Sequence, residues 1–255
     1  MRTTVILNLK GGVAKTATAI NVAAILAKEH KQRVLLVDAD SQCNTSEFFG
    51  ADPAKGNLAE VLRHSESDGN FAAFNIQASN FPGVSILAGD ESLMDLDLTK
   101  VELKSVQATC LRDMVQGLQR RDEFDWVLVD CPPAFNAASA AALIAADDVI
   151  IPMKLDAFSL RGMANLMRQI SNMRKINPKL SLGGLLPTMW YKSENILAAE
   201  AQLRASGLPV YHHIRRTNKV DDMTFAQTPV IVSSPKSAAA LDYRIFVDEL
   251  MKGVK

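Results

Sequence analysis

Lys10-Gly11-Gly12-Val13-Ala14-Lys15-Thr16 lies between the apolar run Val5-Ile6-Leu7 and a helical stretch that begins at Thr16. Glycines let successive backbone N–H groups turn toward an anion without a Cβ clash. A helix that starts at such a turn adds the positive end of its dipole. A lysine at position 15 reaches terminal phosphate oxygens, and a hydroxyl at position 16 suits Mg2+. The strict pattern G-x-x-x-x-G-K-[ST] is not met, because Ala14 stands where the glycine before the lysine belongs. Two more strand ends carry carboxylates, in Val37-Asp38-Ala39-Asp40 and in Val129-Asp130-Cys131-Pro132-Pro133. An Asp at the end of such a strand can hold Mg2+ through a water. A lone Asp there more often caps the next helix. Three polar sites at three strand ends point instead to one phosphate-and-metal centre.

Alternating strands and helices must position these groups. Strands are expected at Val5–Leu7, Val34–Val37, Ile86–Leu87, Trp126–Val129, Val149–Ile151 and Leu182–Leu186. Helices are expected at Thr16–Lys28, Ser105–Leu118, Ala137–Ala146, Ser159–Lys175, Glu194–Ala205 and Ser237–Met251. Near-continuous apolar strands separated by helices imply an α/β fold, a mostly parallel twisted sheet with helices on both faces. In such a sheet ligands sit beyond the carboxyl ends of the strands. That places the chemistry in the loops after Leu7, Val37 and Val129. The stretch from Gly50 to Lys104 is the least regular and reads as excursions from the sheet. No repeat or linker breaks the chain, so residues 1–255 are expected to form one domain.

The 255 residues are 48% hydrophobic and 22% charged, enough apolar material for a sizeable core. Lys and Arg total 28, as do Asp and Glu, so overall charge names no partner. The distribution is uneven: residues 1–150 hold 13 basic and 20 acidic side chains, and residues 151–255 hold 15 and 8. A basic second half fits either an anionic partner or charges dispersed over several faces. Cys43, Cys110 and Cys131 have no metal-site or disulfide spacing, which suits a reducing cytoplasm. The N-terminal apolar run is too short for a signal peptide, and no stretch nears the roughly 18 apolar residues of a membrane span.

Asn8-Leu9-Lys10-Gly11-Gly12-Val13-Ala14-Lys15-Thr16 resembles the deviant Walker A box of the ParA/MinD family of P-loop ATPases, KGGxGK[ST]. Asp38-Ala39-Asp40-Ser41-Gln42-Cys43-Asn44 is similar to the second box, DxDPQGN, and Val129–Pro133 to the Walker B ending, DxPP. Ile151–Lys154 with Phe158–Gly162, and Thr228–Ile231 with Pro235–Ser237, resemble later family segments. The resemblance implies ATP and Mg2+ as ligands and an ATP-dependent homodimer. It places the phosphates against Gly11, Gly12, Val13, Ala14, Lys15, Thr16 and Ala17. Lys15 would serve its own subunit's nucleotide, and Lys10 the partner's. Asp40 would orient the attacking water, and Thr16, Asp38 and Asp130 would support the metal. The base would lie near Thr188-Met189 and Ile214-Arg215. Ala14, Ser41 and Cys43 depart from a family Gly, Pro and Gly, which bears on the hydrolysis rate.

Within the family the chain resembles short partition ATPases. That implies nonspecific DNA binding by the ATP dimer, slow hydrolysis stimulated by a ParB-type partner, and a cytoplasmic, nucleoid-associated protein. Lys192, Arg204, Arg215, Arg216, Lys219 and Arg244 are the candidate phosphate contacts, by the electrostatics of the basic half. No helix-turn-helix is expected ahead of the first strand. The alternative is a MinD-like positioning ATPase at a membrane or on a protein assembly. The acids Asp242, Asp248 and Glu249 in the last helix disfavour membrane binding. An iron–sulfur enzyme of the same superfamily would need Cys110 and Cys131 as ligands, where buried thiols are the commoner outcome.

Overall fold

Seven strands share one sheet in the order β3-β4-β2-β5-β1-β6-β7. They are β1 (Arg2–Ile6), β2 (Val34–Asp38), β3 (Gln77–Ala78), β4 (Val84–Leu87), β5 (Trp126–Asp130), β6 (Asp148–Met153) and β7 (Ser181–Pro187). Every pairing is parallel except β3 with β4 at one edge. This is the expected α/β architecture. The computed structural model describes residues 1–63, 75–96 and 106–253. The rest of the irregular Gly50–Lys104 stretch, and Ser105 of the expected helix, lie outside the described residues.

The helices are α1 (Lys15–Lys28), α2 (Asn44–Phe48), α3 (Leu58–Arg63), α4 (Val106–Arg120), α5 (Ala137–Ala145), α6 (Ala157–Met173), α7 (Glu194–Ala205), α8 (Asn218–Ala226), α9 (Val230–Ser233) and α10 (Ala238–Lys252). Side chains alternate across each strand, so the sheet feeds two cores. Val5, Leu35, Val37, Val127, Val129, Val149 and Ile151 pack on one face with α3, α4 and α5. Ile6, Val34, Leu36, Leu128 and Ile150 pack on the other with α1 and α10. Ala19, Ala23, Ala24 and Ala27 let α1 pack closely, and all four are buried.

Several boundaries differ from expectation: β4 starts two residues early at Val84, β6 ends two late at Met153, and α4 ends two late at Arg120. β1 begins at Arg2, because Arg2 and Thr3 already pair with Trp126 and Val127 of β5. α6 runs from Ala157 to Met173, starting and ending two residues early. The short elements β3, α2, α3 and α9 were not foreseen, nor was α8. Its start rests on a single side chain, Thr217, which accepts from Lys219 N, and short polar helices carry little periodic signal.

The order β2-β5-β1 sets three carboxyl ends side by side. Asp38 and Asp130 are direct register partners. The loop from Leu7 to Ala14 leaves the neighbouring strand β1 and enters α1.

Candidate functional site

The turn into α1 is built from left-handed residues. Gly12 has φ 66° and Ala14 has φ 63°. No side chain caps α1. Asn136, Ser193, Thr217 and Ser237, by contrast, cap α5, α7, α8 and α10 through side-chain oxygens. The first amides of α1 are thus left for another acceptor, at the positive end of the helix dipole. Gly11 and Gly12 are exposed, and a Cβ built on either meets nothing within 4 Å. Their backbone faces open space.

The loop is held from both sides. Asn8 donates from Nδ2 to the Pro152 carbonyl at 2.8 Å and accepts from Lys10 N at 2.9 Å. Thr188 donates its hydroxyl to the buried Val13 carbonyl at 3.1 Å. Lys15 is buried, and its Nζ donates to the Lys10 carbonyl at 3.3 Å, inside the loop's own curve. Burial pushes its pKa below the usual lysine value, opposed by the charges of Asp130 and Asp40.

The two strand-end acids are fully enclosed. Asp38 accepts at Oδ2 from Ser46 N at 2.8 Å and Ser46 Oγ at 2.7 Å, and at Oδ1 from Asp40 N at 3.1 Å. Asp130 accepts at Oδ2 from Thr16 and Thr45, both at 2.7 Å. Asp130 Oδ1 is buried without a hydrogen-bond partner. Burial, then the charge of Asp130, raises Asp38 to about 7. Burial raises Asp130 to about 6, against the pull of the Thr45 and Thr16 hydroxyls. Asp40 is half-buried at the rim and accepts from Gln42 N at 3.0 Å.

An orphaned buried carboxylate oxygen beside a threonine hydroxyl suits a hard cation. Among the described residues no group of three or more His, Cys, Asp or Glu could hold a metal. The site therefore fits Mg2+, which keeps waters and takes phosphate oxygens, better than a cation caged by protein.

Beside the loop opens a pocket of about 370 Å3. Ala14, Met189, Ile214, Arg215, Val220 and Tyr243 are among its walls. The residues expected around a base are thus brought to the phosphate loop. Ala17 sits in the first turn of α1, its carbonyl accepting from Asn21. The Arg215 guanidinium is bonded to the buried Asp242 at 2.7 and 2.8 Å, so it forms a wall and is not a mobile cation.

The remaining candidate cations do not form one free cluster. Arg204 pairs with Glu200 at 2.8 Å, Lys219 with Asp222 at 3.0 Å, and Arg244 with Glu29 at 2.8 Å. Lys192 and Arg216 are exposed, with no ion pair among the described residues. Lys10 is bound within its own chain, its Nζ 2.7 Å from Asp156 Oδ2. Asp156, Thr45 and Ser46 were missed by the sequence reading, because only the fold brings them to the loop and the acids. Cys131 is buried beside Asp130 and Cys110 is buried in α4, in keeping with structural thiols.

The sequence model of an AAA domain matches residues 1–182. The chain is 33% identical over 251 residues to the chromosome partitioning protein ParA of Caulobacter vibrioides, covering 95% of this chain and 91% of that one. It is 34% identical over 255 residues to the chromosome-partitioning ATPase Soj of Thermus thermophilus, covering 97% and 94%. A solved structure of cobyrinic acid a,c-diamide synthase from Mycobacterium smegmatis, with bound ADP and magnesium, superposes with a TM-score of 0.81. That protein is 29% identical, with 99% of this chain and 94% of it covered.

Proposed function

The chain belongs to the ParA/MinD-type family of P-loop ATPases, and on that premise we propose that it is an ATP-dependent dimerising switch of the partition type. One observation carries the reading. An uncapped helix end, a buried Lys15 and the Thr16–Asp130 pair converge on the carboxyl ends of β1, β2 and β5, and a base-sized pocket adjoins them beyond the ends of β6 and β7.

In this reading the amides of Gly11 to Ala17 receive phosphate oxygens, and Lys15 meets the terminal phosphates. The base enters the pocket between Met189, Ile214 and Arg215. Thr16, with Asp130 and Asp38 behind it, would hold Mg2+, which would supply positive charge against the phosphoryl oxygens. Asp40, the half-buried acid at the rim, orients the attacking water. Lys10 serves the nucleotide of a second copy, which makes hydrolysis depend on dimerisation.

The Lys10–Asp156 pair bears on this switch. Both side chains are more than one-third exposed, and such pairs contribute about 0–1 kcal/mol. Releasing Lys10 toward a partner therefore costs little, and a bound triphosphate outweighs it. The ATP dimer binds DNA without sequence preference, through phosphate contacts from Lys192 and Arg216. A ParB-type partner stimulates an otherwise slow hydrolysis, which releases the DNA. The two partition proteins that resemble this chain over nearly its whole length support this choice within the family.

The test is DNA retardation with ATP, ADP or no nucleotide at two salt concentrations. Binding with ATP alone, weakening with salt, is expected. Equal retardation in all three states defeats the switch reading. Substituting Lys15→Gln is expected to abolish nucleotide binding, and Asp40→Ala to trap an ATP dimer.

A further inference from the structure

α2 follows directly on the turn that carries Asp40, and its second and third residues touch both buried acids. Thr45 donates to Asp130 Oδ2 at 2.7 Å, and Ser46 donates to Asp38 Oδ2 at 2.7 Å. Ser46 Oγ also accepts from Gly89 N at 2.8 Å, which ties in the loop after β4. Both hydroxyl residues are buried.

The placement of donors on Asp130 is lopsided. Oδ2 receives two hydroxyls, from Thr16 and Thr45, while Oδ1 receives none and is buried. Leaving a buried polar atom unpaired is costly. A second donor on the occupied oxygen does nothing to relieve that cost. It does fix the rotation of the carboxylate, since two donors from different helices converge on one oxygen. Oδ1 is then held as the open acceptor.

We propose that Thr45 is a positioning residue: its hydroxyl, with that of Thr16, pins Oδ2 of Asp130 and so presents Oδ1 to the metal of the bound nucleotide. The inference rests on the nucleotide-site reading above. It also gives α2 a task. Asp38 and α2 bracket the Asp40 turn, Ser46 anchors one acid and Thr45 the other. Metal occupancy at Asp130 is thereby coupled to the position of Asp40.

Removing an outer group that orients a metal ligand typically costs ten- to a hundredfold in metal affinity. The experiment titrates Mg2+ into the full chain with a fluorescent ADP analogue. It compares wild type, Thr45→Val and Thr45→Ser, with thermal melting and ADP affinity in EDTA measured alongside. The Val variant keeps the shape and loses the hydroxyl. Its Mg2+ midpoint is expected to rise at least about tenfold, with EDTA affinity unchanged. The Ser variant is expected to restore the wild-type midpoint. Should Thr45→Val fail to fold, Thr45→Ala reads the same quantity with less bulk. A wild-type midpoint in the hydroxyl-free variant overturns the inference, and so does a Ser variant as impaired as Val. If wild type binds ADP without regard to Mg2+, the nucleotide-site reading fails and takes this inference with it.

Discussion

Ala14 and Cys43 stand in left-handed backbone, at φ 63° and 54°, and each replaces a glycine of the motif it resembles. The turns have kept a glycine's shape without the glycine. An L-residue there bears about 1–2 kcal/mol of strain. Glycine would relieve it but would also free the unfolded chain, by about 0.4–1 kcal/mol. The expected net gain for Ala14→Gly or Cys43→Gly is therefore between about 0 and about 1.6 kcal/mol. Ala14→Val, β-branched at positive φ, is expected to destabilise instead. Denaturant unfolding of the nucleotide-free protein separates these outcomes. At the same scale the acids set a pH dependence. Asp38 at about 7 and Asp130 at about 6 lie above the ordinary carboxylate value near 3.9. Between that value and about 7 the folded chain keeps protons that the unfolded chain has shed. Their contribution to stability is full below the unfolded value and is lost as pH rises through about 6 to 7. The nucleotide-free protein is thus expected to melt at a higher temperature at pH 5.5 than at pH 8, all else being held equal. A flat profile would show that the two acids are not shielded as their burial implies.

The elements decide which charges are available. Arg215 and Asp242 join the segment after β7 to α10, and Arg215 lines the pocket beside the loop that enters α1. Asp242 is 1% exposed and Arg215 43%. Breaking a fully buried pair costs 3–5 kcal/mol, and the exposed guanidinium lowers the expectation for Arg215→Ala to about 2 kcal/mol. Nucleotide affinity should fall with it, because the wall loses its anchor. An Arg215→Ala variant of unchanged stability would mean that Asp242 is satisfied by His212, 3.4 Å away, and by the backbone amide of residue 215, which donates to it at 2.9 Å. The helix periods and strand runs of most elements were legible in the sequence. α8 was not, since nine largely polar residues give no apolar stripe. Nor was the engagement of Arg204, Lys219 and Arg244, because a cluster of cations in sequence says nothing about which acids the fold sets against them.

At the scale of the whole molecule, the uneven charge of the two halves leaves fewer free cations for the proposed DNA contact than the sequence suggests. Of the six candidate cations only Lys192 and Arg216 are exposed without an ion pair among the described residues. In the proposed ATP dimer, two per chain make four. Release of counterions from four phosphates gives a slope of about −3.6 in log K against log salt. Filter binding of the ATP form over a salt series measures it. A much steeper slope would mean that further basic groups join, or that the paired arginines exchange partners on DNA.

The sequence alone determined the α/β fold, the phosphate loop, the acids at the ends of β2 and β5, and the family, because these depend on local periodicity and on residue types at fixed spacing. Tertiary structure decided what separation along the chain hides. It brought Asp156 to Lys10 across 146 positions and Thr45 to Asp130 across 85. It also tied Arg215 to Asp242. The reason is that a parallel sheet aligns the ends of strands distant in sequence, and only that alignment fixes which hydroxyl or acid faces which charge.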